Sequence, residues 1–103
     1  MVLRASPHWL APEQAQGRRV GSAADVFGLG VSLAFAATGR SPFGAGRADE
    51  MIYRVVHERA DLYGVGPVLR SVLTACLAKE PAQRPLAAEV ALALVPQGVG
   101  LAA

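Results

Sequence analysis

Cysteine occurs once in this sequence, at position 76, so neither an intrachain disulfide nor a cysteine-clustered zinc site can form. A single thiol fits a reducing compartment, and a cytoplasmic location is the expectation. Charge is also scarce: 17% of residues are charged against 52% hydrophobic, which excludes intrinsic disorder, where low hydrophobicity and high charge prevail. The basic residues contain one adjacent pair, Arg18-Arg19, and no longer run, and the net charge is only +2. Nucleic-acid binding is therefore not expected. The most apolar stretch, Val26 to Ala37, falls short of the ~20 residues that a membrane span needs and reads as a buried core helix. The N-terminal residues lack the uninterrupted apolar run of a secretory signal. No alternating strand pattern of useful length and no internal repeat occurs, which leaves a mainly α fold.

What is present is enough for one compact domain, and the 103 residues are too few for two. The chain is more apolar than a domain of this size needs, which points to a surface that a partner covers. Residues 1–21 read as loop, with Pro12 to Gln16 as a short helical turn. Ser22, followed by Asp25, resembles a capping box and opens a helix over 22–38 that Gly39 ends. Its apolar residues Val26, Phe27, Leu29, Val31, Leu33 and Phe35 run all the way round, predicting a helix enclosed by protein. Gly28 and Gly30 inside it cost ~1 kcal/mol each relative to alanine, so close packing of other segments is expected there. After a Pro/Gly loop, Ala48, Met51, Ile52, Val55 and Val56 recur at helical spacing over 48–59, with Asp49, Glu50, Arg54 and Glu58 on the opposite face. A third helix over 67–78 starts at Pro67 and aligns Leu69, Val72, Leu73, Cys76 and Leu77. Pro81 and Pro85 bracket a turn before a last helix over 86–94, built on Leu86, Val90, Leu92 and Leu94. From Gln97 onward a frayed tail is expected.

Three landmarks stand in order along this framework. The first is Ala5-Ser6-Pro7-His8-Trp9-Leu10-Ala11-Pro12-Glu13. The second is Asp25-Val26-Phe27-Gly28-Leu29-Gly30, followed by Thr38-Gly39-Arg40-Ser41-Pro42-Phe43. The third is Cys76-Leu77-Ala78-Lys79-Glu80-Pro81-Ala82-Gln83-Arg84-Pro85. Together they resemble the C-lobe of eukaryotic-type serine/threonine protein kinases, including the bacterial ones. There the corresponding strings read Gly-Thr-Pro-x-Tyr-x-Ala-Pro-Glu, Asp-Val-Tyr/Trp-Ser-Leu-Gly with Thr-Gly-x-x-Pro-Phe, and Cys-Leu-x-Lys-Asp-Pro-x-x-Arg-Pro. An isolated Ala-Pro-Glu carries little weight; three strings in order over residues 5–85 carry much more.

The resemblance implies a partial protein-kinase C-lobe, comprising the activation-segment tail and about four helices, with no N-lobe sheet. Residues 1–21 would be the activation-segment tail with its Ala-Pro-Glu region, 22–96 the C-lobe helices and 97–103 the frayed tail. It implies that Glu13 and Arg84 form a buried ion pair, a task for which the planar fork of arginine is suited. It places Ser6 beside the catalytic aspartate and Trp9 in the pocket for the residue after the phosphorylated one. Ala11, Pro12 and Glu13 form the structural motif, and Asp25 would accept hydrogen bonds from the catalytic-loop backbone. Read without the resemblance, Asp25 caps its own helix, Ser6 is a turn hydroxyl and Trp9 a core anchor. Ala5 departs from the family's glycine.

The phosphotransfer machinery itself is missing from these residues. No Gly-x-Gly-x-x-Gly, no His-Arg-Asp and no Asp-Phe-Gly occurs. His57-Glu58-Arg59-Ala60-Asp61 mimics a zinc-protease helix, but Asp61 replaces the second histidine. His8 has no companion nucleophile or base in a recognisable arrangement. The expectation is a fragment of a serine/threonine kinase that is inactive alone, with ATP and magnesium bound only in an intact parent and no cofactor or metal held by this chain. Its partners would be a protein substrate or the missing kinase portion. Ser6-Pro7 favours serine/threonine over tyrosine specificity. The alternative is a non-catalytic, pseudokinase-like interaction module.

Overall fold

Glycine and proline set the boundaries of the elements in the structure, a computed structural model that describes residues 10–95. The order is α1 (Pro12–Ala15), α2 (Ser22–Thr38), α3 (Ala48–His57), α4 (Pro67–Cys76), a 3-10 turn (Pro81–Gln83) and α5 (Ala87–Ala93), with no strand among the described residues. Each expected helix is present; α2 keeps its expected bounds, and the others are shortened by one to two residues at one end or by one at both. No helix among the described residues is long and apolar enough to cross a membrane. The frayed tail expected from Gln97 lies outside the described residues.

The helix starts use a device different from the one expected. Ser22 is the first residue of α2 rather than its cap; extended Gly21 occupies that position, and its carbonyl accepts the Ala24 N–H at 3.0 Å. At α1, α3 and α5 the third helical residue reaches back to the cap backbone. The Ala11 N–H donates to Gln14 Oε1 (2.8 Å), Arg47 N–H to Glu50 Oε1 (3.3 Å) and Leu86 N–H to Glu89 Oε1 (2.7 Å). The end of α2 follows expectation: Gly39 takes a left-handed φ of 77°, and its N–H donates to Phe35 O at 2.7 Å.

α2 is the axis of the core. Phe27 and Val31 pack with Ala11, Phe43, Val55 and Leu77, and the Phe27 and Phe43 rings stack at 5.8 Å. Val26 packs with Cys76 and Val90, and Ala34 with Val65 and Leu73. Gly30 explains how α2 and α4 come so close. A Cβ built there would lie 2.9 Å from Cys76 Cβ and 3.0 Å from Leu77 Cδ2, so the missing side chain is what permits the contact.

Two expectations about burial are corrected. α2 is not enclosed all round, because Phe35 is 51% exposed and Leu29 also lies on the surface. In α5 only Val90 is buried, packed with Val26, Val72 and Cys76, while Leu86, Leu92 and Leu94 are exposed among the described residues. The apolar surplus in the composition thus appears as exposed side chains on α2 and around α5.

Cys76 is fully buried and its thiol is pushed above the ordinary range by desolvation. Gly30→Ala is expected to cost about 1–3 kcal/mol, as overpacking does. Urea denaturation measures the loss, and an aromatic disulfide reagent should label Cys76 faster in the variant than in the parent chain. Equal midpoints and equal labelling rates would contradict the contact between α2 and α4.

Candidate functional site

Glu13 is drawn inward by the turn that Pro12 starts. Proline at the first helical position of α1 has its φ preset and lacks only an N–H that would have no partner there. The segment Leu10 to Glu13 is buried, and Glu13 is 1% exposed. At the far end of the chain, Pro81 begins the 3-10 turn that delivers Arg84 in extended conformation to the same place.

There the guanidinium and carboxylate meet fork to fork. Arg84 Nη1 donates to Glu13 Oε2 at 2.7 Å and Nη2 to Oε1 at 2.8 Å, across 71 positions of sequence. The other donors are used as well: Nε bonds Ala78 O (2.8 Å), Nη1 bonds Ala23 O (2.9 Å) and Nη2 bonds Lys79 O (3.2 Å). All five N–H groups of the arginine therefore have acceptors, which is what a buried guanidinium requires. The plane also lies 5.0 Å from the centroid of the Phe27 ring. One side chain ties α1, the first turn of α2 and the 78–79 turn together. Burial pushes the Glu13 carboxyl up, but the hydrogen bonds from Arg84 and from its own backbone, together with the charges of Arg84 and Arg18, outweigh that and hold it below its ordinary value.

Of the residues singled out from sequence, Ala11, Pro12, Glu13 and Arg84 come together here. Asp25 stands apart. Its carboxylate is exposed, makes no side-chain hydrogen bond among the described residues, and borders a hollow of about 460 Å³ whose walls include Leu29, Pro81, Pro85 and Leu86. The cap role considered for it is not taken, and a solvated carboxylate is what burial costs would require. Ser6 and Trp9 lie outside the described residues. The His57–Asp61 string forms no metal cage: exposed His57 packs on the Tyr53 ring, and Asp61 accepts from the Tyr63 N–H at 3.0 Å and from Arg40 at 3.4 Å.

Lys79 was not singled out, although it is the only lysine in the sequence and sits inside the third landmark. Its ammonium donates to the carbonyls of Val55 (2.5 Å) and Arg54 (3.4 Å) in the last turn of α3 and lies 4.5 Å over the Phe43 ring. Desolvation, helped by the Arg84 charge and opposed by Glu58, brings its pKa down to about 8. Lys79 thus fastens α3 to the segment that Arg84 anchors.

Two predictions follow from this geometry. Arg84→Ala is expected to cost ~3–5 kcal/mol in urea denaturation, because it strands Glu13 without a partner. In the parent chain the contribution of Glu13 is fully present above about pH 4.5 and is lost as pH falls through its lower folded-state value, so acid should erase most of the difference between the two chains. For Lys79 the folded form sheds its proton near pH 8 and the unfolded form near 10.5, so stability rises as pH climbs between those values. The urea midpoint of the parent chain relative to Lys79→Met should increase between pH 7.5 and 9.5; a flat difference would mean that the ammonium is not desolvated.

The geometry agrees with what sequence comparison finds. The sequence profile of the protein kinase domain matches residues 1–93. The chain is 45% identical over 82 residues to the probable serine/threonine-protein kinase PkwA of Thermomonospora curvata, which covers 80% of this chain and 11% of that protein. It is 38% identical over 96 residues to the serine/threonine-protein kinase AfsK of Streptomyces coelicolor, 92% of this chain and 12% of that one. With the serine/threonine-protein kinase PkaA of the same organism it shares 39% identity over 99 residues, 93% and 18% of the two chains. The chain therefore spans less than a fifth of the length of each of these relatives. The buried fork joining Ala-Pro-Glu to Arg-Pro, the helical fold and these matches together show that the chain belongs to the protein kinase domain family, of which it is a partial, helical portion.

Proposed function

We infer that these residues form the substrate-side part of the large lobe of a serine/threonine kinase, and that transfer of phosphate from ATP to a protein serine or threonine needs residues other than these. The observation that carries this reading is the fully satisfied Glu13–Arg84 fork, which fixes the segment entering from the substrate side to the helical base. In an assembled kinase Asp25 would accept hydrogen bonds from the catalytic-loop backbone, which its exposure beside the 460 Å³ hollow supports. Ser6 would lie near the reacting hydroxyl and Trp9 in the pocket for the following residue. A protein substrate, the remaining kinase portion as partner and a cytoplasmic location go with this reading.

Kinase chemistry uses a lysine on the ATP phosphates, magnesium held by aspartate and asparagine, and an aspartate near the attacking hydroxyl. The sequence contains no asparagine, and its one lysine is bonded to the carbonyls of α3. Among the described residues no three His, Cys, Asp or Glu side chains gather. These residues do not fit ATP or magnesium, so the chain alone should be inactive. The exposed Leu29 and Phe35 also suit a non-catalytic, pseudokinase-like module that only binds a partner.

A chimera separates the two. When this chain replaces the matching stretch of AfsK, the product should phosphorylate a protein substrate in the presence of ATP and magnesium, while the chain alone gives no transfer above blank. A folded chimera that binds ATP and transfers nothing would overturn the kinase reading and leave the interaction module.

A further inference from the structure

The loop after α3, the body of α4 and the turn after α4 enclose a groove of about 1030 Å³, separate from the hollow beside Asp25. Leu62 and Leu77 contribute apolar surface, and Arg59 and Arg70 supply two cations from two separate elements, while the Lys79 ammonium on the same wall is engaged by the carbonyls of α3. No carboxylate lines it among the described residues. The carboxylates within ion-pair distance of a cation serve Arg18, Arg40, Arg47 and Arg84, and among the described residues none reaches Arg59 or Arg70. Arg70 is held in place by two bonds from its guanidinium to Val65 O, at 3.2 and 2.7 Å, so its position is set before anything binds. Tyr63 stands on the rim at 82% exposure, a large aromatic of the type enriched where proteins meet.

We propose that this groove docks an acidic, extended segment of the protein substrate, with carboxylates facing Arg59 and Arg70 and the backbone lying along Tyr63. Cations of one sign in a cleft with apolar walls focus the field and recruit the opposite charge. The groove is open to solvent along its length, which suits a chain lying along it. That the partner is a kinase substrate rests on the preceding reading; the preference for acid does not.

Fluorescence anisotropy tests it with a labelled peptide alternating glutamate and glycine, a glutamine counterpart, and the chain, its fold verified by protection of Cys76. The glutamate peptide should bind, more weakly as salt rises, and the glutamine peptide should not. Arg59→Glu, at an exposed position, should weaken binding about tenfold, Arg59→Lys should restore most of it, and Arg47→Glu on the first turn side of α3 should leave it unchanged. Undiminished binding to Arg59→Glu, an equal loss in Arg47→Glu, or tighter retention of single-stranded DNA than of the peptide would overturn the proposal. Because the titration needs no phosphotransfer, an active chimera without groove binding removes the groove alone. Groove binding beside an inactive chimera removes only the kinase reading of its partner.

Discussion

A buried guanidinium is tolerable only when every donor has an acceptor, and the rest of this structure is arranged around meeting that condition for Arg84. Two bonds go to the Glu13 carboxylate and three to carbonyls of Ala23, Ala78 and Lys79, so α1, α2 and the turn after α4 must each hold a fixed position for the fork to close. Pro12 and Pro81 shape the two short turns that bring the partners in. Gly30 lets α4 approach α2 closely enough to set the 78–79 turn beneath the guanidinium. Lys79, whose carbonyl accepts from Arg84, uses its ammonium to hold the end of α3. An arginine placed this way gives specificity of arrangement more than raw stability, since the desolvation of two charges offsets much of their attraction.

The same arrangement leaves part of the helical surface without cover among the described residues. Asp25 at the start of α2 is solvated beside a hollow, and Leu29 and Phe35 remain exposed on a helix whose other side is the centre of the core. A helix that is apolar all round needs protein all round. Within the described residues only part of that cover exists. Family membership follows from the matched residues.

Much of this was legible in the sequence because the signals were local. Proline at 12 and 67 and glycine at 39 mark helix ends by their own backbone restrictions, and the 3.6-residue spacing of Met51, Val55, Leu69, Leu73 and Cys76 marks the inner faces. The Glu13–Arg84 pair was legible only through resemblance to a family, because no local rule links positions 71 apart. The Ser22 cap was misread: Ser22 can cap only from outside the helix, and Gly21 already occupies that place. The enclosure of α2 was overestimated because periodicity reports what a helix is built to bury, not what is present to bury it. Lys79 escaped notice for a similar reason, since a lysine that bonds carbonyls over an aromatic ring looks, in sequence, like any surface lysine.

The central claim is that Glu13 and Arg84, far apart in sequence, act as one structural unit. A double-mutant cycle on Glu13→Gln and Arg84→Met, read by urea denaturation at neutral pH, measures this directly. The account predicts a coupling of about 2 kcal/mol or more, as close buried charge pairs show. A coupling within about 0.5 kcal/mol of zero, the additivity of independent sites, would contradict it.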